Sequence, residues 1–196
     1  MKRSSLAMLA TLLLSTSALA QEAAPAAAPR MYSVKTADSS LTYRLKHKLH
    51  VVEGKARPTE GKARLMPDGT LQVAVRANVA DFDSGNSNRD AHMKEATEEP
   101  KFPTIEFKGT ASGVKVPTTF PAEQTVALKG QLTFHGVKQP VEVPLTVVFT
   151  SAKDVTATGA FQISLDAFKV ERPSLLMVKV DDALDLETKF QLQEGK

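Results

Sequence analysis

From Leu41 onward the chain repeats one pattern, an alternation of apolar and polar residues with a period of two. Successive side chains of a strand point to opposite faces, so this period belongs to half-buried β-strands and not to helices. In the segment Leu41 to Leu49 one face carries Leu41, Tyr43, Leu45, His47 and Leu49, and the other carries Thr42, Arg44, Lys46 and Lys48. The stripe returns at Thr70 to Val79, after a Pro67-Asp68-Gly69 turn, and then as Val126, Leu128, Leu132 and Phe134. Val141 to Phe149, Val155 to Leu165 and Leu184 to Leu192 repeat it. With Glu53 to Leu65 and Thr104 to Ala111 the count reaches eight strands in up-and-down order, joined by short turns such as Ser151 to Asp154. An all-β antiparallel barrel is the natural closure of such a series. Several strands run to ~9 residues, or ~30 Å at ~3.3 Å per residue, so the barrel is an extended one.

Eight strands enclose a space that side chains can fill or that one slender ligand can occupy. Ala77, Gly130, Ala157 and Gly159 fall on the apolar stripes, where small residues either leave room for a chain or fit the crowding of a filled core. Alternation does not say which face is inside, and an outer-membrane barrel shares the signature. Such barrels carry aromatic girdles, whereas this chain has two tyrosines and no tryptophan. Pro140 and Pro144 on the polar side of their strand suit an edge or bulge of a soluble sheet.

Residues 1–20 read as a secretory signal, with Lys2 and Arg3 before an apolar run and Ala18-Leu19-Ala20 as a cleavage site. That run is too short for a retained membrane helix, so export to a periplasm, with cleavage after Ala20, is expected. Residues 21–30, QEAAPAAAPR, form an Ala/Pro linker, and 31–196 form one domain that should not begin before Met31. There is no cysteine, hence no disulfide, no thiol nucleophile and no lipoprotein attachment. The formal charge of +3 drops to +1 once Lys2 and Arg3 leave with the signal, which argues against a nucleic-acid partner.

The alternation is interrupted between Asp81 and Gly109. Ser84-Gly85-Asn86 predicts a turn, Ser87 or Asn88 opens a short helix that Pro100 stops, and a strand resumes at Thr104. Asn86, Arg89, Asp90, His92, Met93, Pro103 and Phe107 resemble, in order and spacing, the signature of the YceI-like family. Gly130, Leu132, Thr133, Gly136, Val137 and Pro140 match that family's second motif, and Glu171-Arg172-Pro173 is similar to its late arginine region. The resemblance implies an extended lipocalin-like barrel with one short helix in the insertion 84–100. It also implies a ligand: a polyisoprenoid, an isoprenoid quinone or another long amphiphilic lipid.

Chemistry outside that resemblance is sparse. No nucleophile elbow, phosphate loop, dinucleotide fingerprint or His-Glu-x-x-His pair occurs, so no enzymatic activity and no cofactor beyond a bound lipid are expected. His47 and His50, three apart on one strand, would face opposite sides and make no metal pair. Asp181, Asp182 and Asp185 lack the glycine-turned cage of a calcium loop, so no metal is assigned. His135 belongs to the Phe134-His135-Gly136 turn and reads as structural. The expected lumen lining is Tyr43, Leu45, His47, Val73, Ile105, Phe107, Leu132, Phe134, Phe161 and Ile163. Arg89, Asp90, His92 and Arg172 are candidates for a polar head group at the mouth, against the alternative that Arg89 and Asp90 pin the helix. The expected function is an exported carrier without stable membrane insertion, with a homodimer left open. A filled barrel serving as an envelope interaction protein is the rival, and its sign would be a lumen too narrow for an alkyl chain.

Overall fold

Each apolar stripe becomes a strand, and the strands close on themselves. The computed structural model describes residues 27–47, 50–172, 174–175 and 178–195, with side chains left out at 47, 50, 174, 175 and 178. The expected signal, residues 1–20, lies outside the described residues, as do 21–26 of the linker. In chain order the strands are β1 (Arg30–Val34), β2 (Ser40–His47), β3 (His50–Ala56), β4 (Glu60–Leu65), β5 (Leu71–Asn78) and β6 (Thr104–Ala111). There follow β7 (Ala122–Phe134), β8 (Val137–Phe149), β9 (Asp154–Ser164), the small hairpin β10 (Ser174–Leu175) and β11 (Val178–Lys179), and β12 (Ala183–Glu194). The helix α1 (Ser87–Ala96) stands between β5 and β6.

Strands β1, β4, β5, β6, β7, β8, β9 and β12 pair in that order, and β12 returns to β1 with Tyr32 opposite Glu194, closing an eight-stranded antiparallel barrel. Strands β2 and β3 extend β1 and β4 beyond breaks at residues 35–39 and 57–59, β2 pairing with both β12 and β3. The apolar stripes point inward and charged residues such as Glu60 and Arg64 point out.

Four expectations are corrected. The stretch 41–49 is not one strand, because β2 ends at His47; 53–65 is two strands, parted at Pro58, which has no N–H to give a ladder. His47 and His50 are therefore cross-strand partners in a hairpin and do not lie along a single strand, so the opposite-face argument fails. The first strand begins at Arg30 and not Met31: Arg30 Nε donates to Glu194 Oε1 at 2.7 Å, tying β1 to β12. At the first break the buried Ser39 substitutes for the ladder, its hydroxyl donating to Lys35 O at 2.7 Å and accepting from Gln191 N at 3.0 Å.

Pro140 and Pro144 sit on an internal edge. The β8–β9 ladder runs only from Leu145–Gly159 to Phe149–Val155, so both prolines pair with β7 alone and have no ladder partner on the β9 side. The turn at 166–168 covers the gap: Gln139 Nε2 donates to Ala167 O at 2.9 Å, and His135 Nδ1 donates to Phe168 O at 3.0 Å.

The core divides along the barrel axis. One end is a packed floor that includes Leu65, Leu71, Leu128, Val147 and Phe149, closed from below by Val114 of the β6–β7 loop, whose N–H bonds Gly69 O at 3.0 Å. At the other end Leu132, Phe134, Ile163, Leu165 and Phe168 pack together, with Met93 of α1 laid against them.

Candidate functional site

Between these ends lies a cavity of about 530 Å³ that runs through the barrel from Phe149 and Val114 at the floor to Asn88, Arg89 and His92 of α1. The α1 residues are exposed and also line the cavity, which marks the mouth beneath the helix. Inward-facing Val73, Ile105, Phe107 and Phe161 are only partly covered by protein, as expected for walls of an unfilled space.

Cross-strand glycines shape that space. A Cβ on Gly130 would lie 2.7 Å from Phe107 Cζ, and one on Gly109 would lie 2.6 Å from the same atom, so the Phe107 ring lies flat along the wall where two residues have no side chain. Tyr43 lies over its partner Gly54 in the same way. Flat rings cover backbone without crossing the lumen. Of the four small inward residues singled out in the sequence, Ala77 and Ala157 line the cavity, whereas Gly130 and Gly159 make room for Phe107 and Val143.

Nine of the ten expected lining residues border the cavity: Tyr43, Leu45, Val73, Ile105, Phe107, Leu132, Phe134, Phe161 and Ile163. The tenth, His47, has its side chain outside the described residues. Among the head-group candidates Arg89 and His92 border the cavity, and Asp90 and Arg172 do not. Asp90 Oδ1 accepts from Ser84 N at 3.0 Å, and Arg172 forms a two-pronged pair with Asp166, at 2.8 and 3.0 Å, while donating to Val180 O at 3.0 Å. These two side chains brace loops. Arg89 borders the cavity and also braces the loop, donating to Ser84 O at 2.9 Å and, through Nε, to Ser84 Oγ at 3.3 Å.

The helix has little apolar surface to hold it, and local polar bonds do much of that work. Asn86, one residue before the expected start, is the N-cap: its Oδ1 accepts from the N–H groups of Asn88 and Arg89, both at 3.1 Å. At the far end Thr97 Oγ1 donates to Met93 O at 2.7 Å.

Electrostatics in the lumen are set by burial. The Tyr43 phenol is pushed above its ordinary range by burial first and by the Asp90 charge second, with Arg89 opposing. Tyr32, at the floor, is raised by burial, with Arg30 pulling the other way; its hydroxyl is buried without a hydrogen-bond partner. His135 stands outside the cavity. A carbonyl only accepts, so its Nδ1 carries the proton given to Phe168, and Phe102 packs edge-on at 4.8 Å. Its left-handed backbone, with Gly136 following, makes the two-residue turn of the β7–β8 hairpin.

Sequence reasoning missed Tyr32, Ala63 and Val114 as lining residues. The first two sit on strands too short or too broken to show a stripe, and Val114 is in a loop, where no periodicity signals an inward side chain.

The family described as YceI-like domain matches residues 32–192. A polyisoprenoid binding domain from Saccharophagus degradans, described as implicated in plant cell wall breakdown, aligns with TM-score 0.66 at 15% identity over 84% of this chain and 98% of that one. Burkholderia cenocepacia BcnA aligns with TM-score 0.63 at 20% identity over 81% and 98%. At these identities the two structures show a shared fold. Among curated protein sequences none matches significantly.

Proposed function

The chain belongs to the YceI-like family, and from that premise we propose that it is an exported binding protein that holds a long-chain amphiphilic lipid, a polyisoprenoid or an isoprenoid quinone, inside the barrel. The observation that carries this reading is the apolar lumen of about 530 Å³, which lies within the roughly 300–1,000 Å³ range of small-molecule sites. Each methylene moved from water into such a space contributes about 0.8 kcal/mol, so a tail binds firmly with little polar recognition. The description of the Saccharophagus domain as polyisoprenoid binding supports the same ligand class. A filled barrel acting only as an interaction protein called for a lumen too narrow for an alkyl chain, and the cavity volume speaks against it.

In this reading the tail lies along Phe107, Phe134 and Phe161, while Arg89 and His92 meet the head group at the mouth. Asp90 and Arg172 hold the frame around it. Cleavage after Ala20 delivers the mature chain to the periplasm. No covalent step is involved and no cofactor is needed. Among the described residues no helix is long and apolar enough to cross a membrane.

The test is native mass spectrometry of the mature protein isolated from a bacterial periplasm, followed by organic extraction. One bound lipid per chain is expected, and a double variant, Phe134→Asp with Phe161→Asp, should lose it while circular dichroism still reports a β fold. A clean unliganded mass with no uptake of added isoprenoid, or full retention in the folded double variant, would overturn the assignment.

A further inference from the structure

We propose that His135 and Glu98 form an acid-closed latch between the two covers of the mouth, the tail of α1 and the turn at 166–168. Both covers border the lumen, Ala96 and Thr97 in one and Leu165 and Val170 flanking the other. His135 touches both from outside the cavity. Its Nδ1 donates to Phe168 O at 3.0 Å, while its Nε2 faces Glu98 Oε1 at 3.6 Å. That Nε2 is buried and has no hydrogen-bond partner. The neutral ring explains the gap. With the proton on Nδ1, Nε2 offers only a lone pair, and so does a carboxylate oxygen, so neither group donates to the other. A buried acceptor left in that state costs free energy. One proton reverses the contact: Nε2 becomes a donor on a positive ring, and the pair can close to the roughly 2.7–2.9 Å of a charge-assisted hydrogen bond. Histidine is the side chain that ordinarily takes up such a proton between about pH 5 and 8.

The surroundings hold the pair face to face. Glu98 and His135 both have left-handed backbones, with φ of 45° and 50°, which is uncommon for residues that carry a side chain. Lys101 N and Phe102 N donate to Glu98 O at 2.8 and 2.9 Å, folding the tail around Glu98, and the Phe102 ring packs edge-on against the imidazole. Glu98 stays ionised in mild acid, because the hydrogen bond from Lys101 holds its carboxyl below the ordinary range and the His135 charge adds to that. Lys101 Nζ sits on Oε2 at 3.0 Å and leaves Oε1 to the histidine. The other charged groups near the ring are engaged elsewhere or face water. Asp166 pairs with Arg172, Lys138 of β8 acts on Glu106, and Lys169 is exposed; Gln139 is neutral and bonded to Ala167 O. The latch is therefore closed where the ring is charged, and it opens as pH rises through the histidine range.

The experiment is amide hydrogen exchange of the mature, delipidated chain at pH 5 and pH 8, corrected for intrinsic rates, with the β7–β8 ladder as internal reference. It reads the latch whether or not lipid is the ligand. Exchange at Lys101, Phe102 and Val170, whose N–H groups bond within the two covers, should be about fivefold slower at pH 5. Glu98→Ala removes the acceptor and should exchange fast at both pH values. Glu98→Gln should be slow at both: its amide N–H donates to the bare Nε2 at pH 8, and its carbonyl oxygen accepts from the charged ring at pH 5. The Glu98 side chain is 49% exposed, so neither substitution disturbs the core. Equal exchange at the two pH values in the unsubstituted chain, or a pH step that survives Glu98→Ala, would overturn the latch. So would a Glu98→Gln chain that exchanges as fast as Glu98→Ala at pH 8. Where the lumen holds lipid, its release should slow by the same factor in acid. A chain that takes up no lipid and still shows the step would remove the carrier reading and leave the latch standing.

Discussion

The two ends of the barrel are made from the same strands and held by different forces. At the floor the hydrogen-bonded ring is complete, from β12 through β1 and β4 to β5, and side chains such as Phe149, Leu128 and Val147 pack against one another. At the mouth the ring is interrupted. Beyond β5 the backbone pairs with β3 at the isolated Lys55–Asp83 bridge, β8 parts from β9 above Leu145, and α1 and the turn at 166–168 cover the openings. Burial holds the floor, whereas short polar contacts do much of the work at the mouth: Asn86 to its own helix, Asp90 and Arg89 to Ser84, Arg172 to Asp166. Burial is cooperative across many residues, while a cap or a loop brace acts where it stands. The floor should therefore answer to volume and fail globally, and the mouth should answer to single hydrogen bonds and fail locally.

The strongest challenge to that contrast is Phe149→Ala. A fully buried phenylalanine truncated in a packed region costs about 3–5 kcal/mol, through lost burial and the void left behind. Urea denaturation should show that loss with an unchanged slope. A loss under about 1 kcal/mol would mean that the floor is loosely packed.

Next in size is Asn86→Ala. Removing an N-cap costs about 1 kcal/mol, and here the loss falls on a helix with few apolar contacts. Amide hydrogen exchange in the first turn of α1 should speed up about fivefold, while the global unfolding midpoint moves little. If α1 covers the route to the lumen, lipid release should quicken by a similar factor. A global destabilisation as large as that of Phe149→Ala would erase the distinction between the two ends.

The same division explains what was legible in the sequence. Period two announced the barrel and nine of its lining residues, because burial on one face of a strand leaves a pattern that repeats. It could not announce the breaks in β1–β2 and β3–β4, which rest on single residues: Ser39 bridging a gap in one, Pro58 lacking a donor in the other. Nor could it show that His47 and His50 face each other across a hairpin, since the stripe reads on through the turn until Cα pairing is known. Asp90 and Arg172 look like ligand contacts from the sequence, as charged residues of a motif do. Their partners, Ser84 N and Asp166, are each only six residues away, but no periodicity links them and the contact shows only once the intervening turn is folded. Val114, which closes the floor, belongs to a loop with no period.

The smallest expected effect is the most discriminating at the floor. Tyr32 is 4% exposed and its hydroxyl has no hydrogen-bond partner, in a region otherwise held by apolar packing. A buried hydroxyl left unpaired carries a desolvation penalty of about 1–3 kcal/mol, and phenylalanine keeps the ring while removing the penalty. Burial raises the phenol's pKa, so the group is neutral at ordinary pH and no charge is lost in the exchange. Tyr32→Phe should accordingly be neutral or stabilising by up to about 1 kcal/mol, read from the shift in urea midpoint at constant slope. The matching change at the mouth, Tyr43→Phe, alters a phenol that feels Asp90 and Arg89, and its effect should appear in lipid release more than in stability. If Tyr32→Phe instead destabilises by more than about 1 kcal/mol, the hydroxyl has a polar partner at the floor. The floor would then recognise something other than a hydrocarbon tail, and the contrast between an apolar end and a polar end would have to be drawn the other way.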